Sequence, residues 1–401
     1  MNILFISRFF PHPKVRDSGG QDAYHYIAAL SEKHSVTLIA FVTKSQQEAV
    51  DMMRQQCKEV IGVPYHPRAL LPRIWRQWWR VWLPRVYGRN VSIRYWRHLR
   101  ELLRCKTFDV VVVDGMMAQY GAHIKNAKIV LDEIDVYSIV AYHIYHSKRS
   151  WLLRAWYLLD WLKTQVWEWR YLRLYDGVLV RSHSDRSVLQ SYVPDQDVTV
   201  VSPWFEGLEE LSRIPLQRPP GNALLFVGAM NLPANVEAVR FFVVEILPLI
   251  RQEISDVSLY IVGSEPTPAV QCLGAEKGVI VTGEVEDLTP YYERSAVNVV
   301  PLLRGGGIIV KTLNGMAAGR PTVTTLVGNA GTGAKSGREL LIADSPKDFA
   351  HSVIRLLSEP SVWHAMSESG REYVRSRYTW ADAVEALGVA LQKKGDNTNG
   401  L

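Results

Sequence analysis

Cysteine is scarce: the 401 residues hold three, Cys57, Cys105 and Cys272, far apart and with no Cys-x-x-Cys spacing. An odd, scattered set excludes a disulfide framework and a zinc site, and it fits a reducing compartment. Long apolar runs are lacking too. The opening run Ile3–Ile6 ends at Ser7 and Arg8, so it reads as a buried first strand and not as a signal peptide. No stretch approaches the ~20 apolar residues that span a bilayer. The expectation is a soluble or peripherally attached cytoplasmic chain. Disorder is excluded for most of the length, since 47% of residues are hydrophobic and 21% charged, an ordinary globular balance.

Acidic residues are nearly missing from one segment. Residues 68–106 hold 11 Lys/Arg and a single acid, Glu101. Residues 1–205 carry 28 Lys/Arg against 18 Asp/Glu, and the remainder 18 against 22, so the net +6 comes from one local patch. Such a patch speaks for an anionic partner and not for a globally basic protein.

The length suits two domains. In the first half, Ile3–Ser7, Val36–Phe41, Val110–Val113, Ile129–Leu131 and Val178–Val180 are short β-branched runs, as in parallel strands buried on both faces. A helix is expected over Gln21–Ser31, after Ser18-Gly19-Gly20. A cluster of prolines and Gly221 over 203–222 reads as a linker. Alternation then resumes with strands at Leu224–Val227, Ser258–Val262, Val279–Thr282, Ala296–Leu302 and Thr322–Leu326, and helices at Glu237–Ile250 and Lys311–Ala318. Phe349–Leu357 and Trp363–Arg377 read as helices, and Lys393–Leu401 as a frayed tail. The predicted fold class is α/β, two Rossmann-like domains facing across a cleft. The expected divisions are 1–203, a linker 204–222, 223–378 and a terminal helix and tail 379–401.

The most informative stretch is Arg304-Gly-Gly-Gly-Ile-Ile-Val-Lys311. Gly305, Gly306 and Gly307 let a backbone approach a ligand closely. The free N–H groups of the following helix start and Lys311 supply positive potential for a phosphate. A plain loop-to-helix junction fits the glycines equally well.

The order of phrases decides between these. Phe226-Val-Gly228-Ala-Met with Pro233-Ala-Asn235, Ile261-Val-Gly263, Val281-Thr-Gly-Glu-Val-Glu-Asp-Leu288, Pro301-Leu before the glycine triplet, and Gly319-Arg-Pro-Thr-Val323 resemble the GT-B glycosyltransferases. The likeness is to the large retaining group 1 (GT4-like) family. Ser18-Gly-Gly20, Leu131-Asp-Glu-Ile-Asp-Val136 and Ser182-His-Ser-Asp185 extend it more weakly into the first half. The resemblance implies a nucleotide-sugar donor, such as a UDP- or GDP-sugar, held mainly by the carboxyl-terminal domain. No separate cofactor and no metal are implied: Lys311, helped by Arg304, would face the diphosphate, where charge develops on the leaving group. No Asp-x-Asp motif stands at a strand end. Gly19, Gly20 and Gly228 match glycines that admit backbone close to the donor.

Two departures stand out. The family's paired glutamates, eight positions apart, are here Gly306 and Asn314, so the chain resembles a subgroup lacking the first glutamate. Asparagine still hydrogen-bonds a ribose hydroxyl but carries no charge. On the catalytic side, Asp132, Glu133 and Asp135 follow the strand Ile129–Leu131 and are the candidates for orienting an acceptor hydroxyl or stabilising charge on the donor sugar. Capping of the next helix is the competing role.

Ten of the 13 tryptophans fall in two windows, counting Trp96 a little beyond the first. Within Pro72–Leu83, helical spacing puts Trp75, Trp78, Trp79 and Trp82 on one face and Arg73, Arg76 and Arg80 on the other. That pattern suits a helix lying in an anionic membrane interface, acceptor recognition, or an internal aromatic wall. The second window, Trp151–Trp169, reads as a helix packing on the first. The expected function is sugar transfer to a cell-envelope lipid or polysaccharide precursor, with retention implied by the family, at the inner face of the membrane. Two alternatives stand: a partner-dependent or inactive GT-B scaffold, and a soluble enzyme glycosylating a small aromatic metabolite. No nucleic-acid motif accompanies the basic patch.

Overall fold

The computed structural model describes residues 1–12, 18–43, 46–65, 83–146, 150–203, 206–305 and 307–392. The chain forms two compact units, Met1–Pro203 with Trp380–Leu401, and Trp204–Thr379.

The first unit is built on a parallel sheet of β1 (Asn2–Ser7), β2 (Ser35–Val42), β3 (Glu59–Pro64), β4 (Val110–Asp114), β5 (Lys128–Asp132), β6 (Gly177–Val180) and β7 (Val198–Val200). Their order is β3-β2-β1-β4-β5-β6-β7. Val110–Val113 of β4 and Ile3–Ile6 of β1 are buried, as strands covered by helices on both faces require. The second unit repeats the plan with β8 (Ala223–Val227), β9 (Ser258–Val262), β10 (Val279–Gly283), β11 (Val297–Val300), β12 (Thr322–Thr324) and β13 (Leu341–Ile342), ordered β10-β9-β8-β11-β12-β13. Each sheet reverses its strand order at one central pair, β1/β4 and β8/β11. Loops leaving the carboxyl ends of such a pair diverge and open a crevice for ligands.

Several expectations shift. The helix after β1 spans Ser18–Ser31, so Gly19 and Gly20 lie in its first turn and not in a loop ahead of it. The segment 204–222 is no bare linker. It contains the helix Glu206–Ser212, whose Leu208 and Leu211 share a core with Leu313 and Met316. The terminal helix Trp380–Leu391 returns to the first unit, where it packs on β5, β6 and β7. There Lys128 Nζ donates to the carbonyls of Ala390 (2.6 Å) and Gln392 (2.7 Å), a cation on the negative end of the helix dipole. The helix expected at Glu237–Ile250 starts earlier, at Pro233, where a proline costs no helical bond. It then passes through a π-turn at Phe242–Ile246, just before Pro248, whose missing N–H breaks the regular ladder. Three edge or near-edge strands, β3, β7 and β13, carry no apolar run long enough to announce them. The tail from Lys393 and the residues Arg73, Trp75, Arg76, Trp78, Trp79, Arg80 and Trp82 lie outside the described residues, as does Gly306.

Candidate functional site

In the second unit the strand ends converge on Lys311. The helix Val310–Ala317 begins after β11 with no side chain capping its first amides; the Thr312 amide donates to the Ile309 carbonyl at 3.0 Å, and the amides ahead of it are left available. Lys311 sits one residue inside it. Its Nζ donates to Asn235 Oδ1 at 2.5 Å and stands 4.7 Å from the centroid of the Phe226 ring. Burial lowers the ammonium from its ordinary 10.5 to about 8, because a charge in low dielectric is disfavoured. Among the described residues no carboxylate pairs with it.

The local sequence is shaped around this side chain. A Cβ at Gly228 would lie 2.8 Å from Asn235 Nδ2 and 2.9 Å from Lys311 Nζ. Gly228 is therefore what lets lysine and asparagine reach past the end of β8. Gly263, at φ +150°, admits the Gly228 carbonyl, which a Cβ would meet at 1.9 Å. Asn235 donates its second arm to the Ala229 carbonyl at 2.9 Å, which orients its oxygen toward Lys311. Behind the helix, Asn298 of β11 donates to the Lys311 carbonyl at 3.3 Å. It does so through space that only Gly315 leaves open, since a Cβ there would meet Asn298 Nδ2 at 2.1 Å.

The triplet divides by role. Gly307 takes a left-handed φ of +66°, which favours glycine. Gly305 has ordinary space around its Cα, with nothing nearer than 3.4 Å, so no steric demand fixes it. Arg304 pairs with Glu237 at 2.7 Å, and it is that carboxylate, half-exposed, which holds its guanidinium. Asn314 lies beside the buried Tyr292 hydroxyl, whose pKa burial raises. Sequence reasoning missed a second glycine-rich loop, Gly328–Gly333, which follows β12. Gly331 (φ +72°) packs against Gly307 and Ile308, and the Gly328 carbonyl accepts from Thr312 at 2.6 Å. The family-like Gly319-Arg320-Pro321 proves architectural: Arg320 is buried, stacks near Trp363 and donates to the carbonyls of Pro215 and Gln217, each at 3.0 Å.

In the first unit the three acidic candidates part company. Asp132 is buried in an ion pair with Arg181 at 2.8 Å, and Arg181 also holds Asp22 at 2.8 Å. This triad ties the helix carrying Gly19 and Gly20 to the end of β5. Glu133 is 1% exposed and packs against Gly115, where no Cβ would fit. Burial, then the neighbouring Glu168, drives its pKa well above the ordinary carboxylate range. Glu168, which accepts from the Ser138 hydroxyl at 2.5 Å and from its amide at 3.2 Å, is pushed up to about 7 by burial. Asp135 alone of the three lines a cavity of about 420 Å³.

That cavity lies beyond the ends of β1, β4 and β5. Arg8, Arg85 and Arg89 give it a positive wall, and Tyr137, Val140 and Ile144 an apolar one. Arg8 Nε donates to Asn90 Oδ1 at 2.8 Å and its guanidinium lies 4.2 Å from the Phe9 ring centroid; it has no ion pair among the described residues. Arg8 was legible as the residue ending the first strand but was not singled out. Among the described residues no group of three His, Cys, Asp or Glu side chains is arranged to hold a metal ion.

Two parallel α/β units with these strand orders define the GT-B fold, and solved structures bear that out. A sucrose-phosphate synthase of Thermosynechococcus elongatus superposes with a TM-score of 0.69 at 16% identity, over 97% of this chain and 98% of its own. Anabaena HepE in complex with UDP gives 0.66 at 10% identity, over 98% and 99%. The family model described as Glycosyl transferases group 1 matches residues 221–359, which contain the whole Lys311 cluster. A Klebsiella pneumoniae "uncharacterized 44.6 kDa protein in cps region" is 24% identical over 163 residues, 39% of this chain and 42% of the relative's length. Together the group 1 match and the fold support a glycosyltransferase.

Proposed function

We propose that the chain is a nucleotide-sugar-dependent glycosyltransferase that binds the donor diphosphate at Lys311. The observation that carries this reading is the Lys311–Asn235–Gly228 cluster at the β8/β11 reversal. A lysine held buried, below its ordinary pKa and without a carboxylate, is poised for an anion, and glycines clear the approach. Lys311 and the uncapped amides at the start of its helix would bind the diphosphate and stabilise the charge that grows on it as the sugar leaves. No metal is needed for that task. HepE, of the same fold, is a UDP complex, which favours a uridine donor. Asn314, one turn beyond Lys311, would hydrogen-bond the ribose.

The acceptor is proposed to occupy the cavity of the first unit, with Asp135 orienting its hydroxyl. The three arginines select an acceptor bearing an anionic group, and the cps-region relative favours a polysaccharide or lipid-linked precursor. Retention at the sugar carbon follows the family. The test is nucleoside diphosphate release from a panel of UDP- and GDP-sugars. Slow release from at least one donor, abolished in Lys311→Met, supports the reading. Neither release nor binding with any donor would instead support the scaffold reading that Gly306 and Asn314 raised.

A further inference from the structure

The helix Trp151–Leu172 presents a large apolar face to solvent. Trp151 is 76% exposed and Trp156 51%, and Leu152, Leu159, Val166 and Trp169 are exposed beside them. At 3.6 residues per turn these six fall within an arc of about 140°. A contiguous exposed stripe of this size, on a helix otherwise packed into the unit, marks an interaction surface.

Charge on the helix is sorted as well. Arg170 and Arg173 lie inside the same arc, their guanidinium groups 5.0 Å from the Trp167 ring centroid and 4.0 Å from that of Trp169. Arg154 stands about 60° outside the arc, with its guanidinium 5.1 Å from the Tyr145 ring centroid. None of the three has a carboxylate partner among the described residues. The helix's two acids point elsewhere: Asp160 lines the first unit's cavity and accepts from the Arg85 amide at 3.0 Å, and Glu168 is buried with Glu133.

We infer that this helix face is a docking surface for an anionic lipid bilayer. Tryptophan and leucine side chains enter the acyl boundary while unpaired arginines on aromatic platforms reach lipid phosphates. A protein partner's apolar groove would cover the stripe but leave Arg170 and Arg173 buried without counter-charge, which is costly. A phosphate surface matches both features at once. The inner side of the helix, Tyr157, Asp160 and Thr164, lines the cavity assigned above to the acceptor. Docking would set that cavity at the interface, where a lipid-linked acceptor resides; this last step rests on the proposed transferase function.

The experiment is vesicle co-sedimentation of the full chain, which needs neither donor nor turnover and so stands or falls apart from the transferase reading. Vesicles of phosphatidylcholine with phosphatidylglycerol are compared with phosphatidylcholine alone, at low and high salt. Binding should require the anionic lipid and weaken with salt. Trp151→Glu plus Trp156→Glu, and separately Arg170→Glu plus Arg173→Glu, should each lower the partition coefficient about tenfold or more, with the thermal unfolding of wild type retained. Trp78→Ala plus Trp79→Ala serves as the comparison. Absence of vesicle binding overturns the inference, as does binding lost only in the Trp78/Trp79 variant. Self-association that both helix variants abolish, without vesicle binding, would assign the face to a second copy of the chain.

Discussion

Replacing Lys311 with methionine should move stability and ligand affinity in opposite directions, and the structure sets both magnitudes. Burial holds the ammonium at about 8 in the folded protein against an ordinary 10.5. Between these values the unfolded chain binds more protons, so stability rises with pH across pH 8–10.5. Below pH 8 the folded state carries the charge at a cost of about 3 kcal/mol, taking 1.36 kcal/mol per pH decade. Methionine removes that cost and forfeits the bond to Asn235, about 1 kcal/mol. The net expectation is a second unit stabilised by about 1–2 kcal/mol at pH 7, with the slope between pH 8 and 10.5 gone. A charge-assisted bond to a diphosphate is worth about 1.5–3 kcal/mol, so the dissociation constant for UDP should rise about 10- to 150-fold. Wild-type affinity should itself fall as pH rises through 8, where the free lysine loses its proton, and this dependence should vanish in the variant. Urea unfolding at several pH values and calorimetric titration with UDP measure the two effects. A variant that is less stable yet binds UDP unchanged would mean that Lys311 is a structural residue, and the reasoning fails.

Other predictions follow from single contacts. Gly228→Ala should weaken UDP binding about tenfold or more by displacing Asn235 and Lys311, whose atoms lie 2.8 and 2.9 Å from the new Cβ; an unchanged titration would contradict the close approach. Asp135→Asn should lower kcat about 100-fold with UDP affinity intact, whereas equal kcat would remove Asp135 from the reaction. Glu133 and Glu168 have folded pKa values above their unfolded ones, Glu168 at about 7, so the first unit should lose stability as pH rises from about 4.5 through 7. Glu133→Gln should flatten that loss, and a slope equal to wild type in urea unfolding would refute the buried pair.

Much of the fold was legible because parallel strands buried on both faces leave β-branched runs, as at Val110–Val113 and Leu224–Val227. The strands that escaped notice, β3, β7 and β13, lie at or near sheet edges, where Glu59–Pro64 needs only one buried position, Val63, and few apolar residues. The Lys311 cluster was half legible. Lys311, Gly228 and Asn235 stood in recognisable phrases, but the contacts that aim the lysine join it to Asn235 and Asn298 across 76 and 13 residues, which no local spacing reveals. Asp132, Glu133 and Asp135 looked alike in sequence. Their fates diverge because strand pleat and burial send one to Arg181, one to Glu168 and one to a cavity. Arg304, read as an ally of Lys311, is occupied by Glu237, four residues into a helix that begins earlier than its hydrophobic period implied.

The central claim is that a nucleotide diphosphate binds at the β8/β11 reversal, and a crystal structure of the protein with UDP tests it most directly. The account predicts the diphosphate within hydrogen-bonding distance of Lys311 Nζ and of the amides at the start of the helix Val310–Ala317, with the ribose toward Asn314. A nucleotide found elsewhere, with Lys311 still bonded only to Asn235, would contradict it.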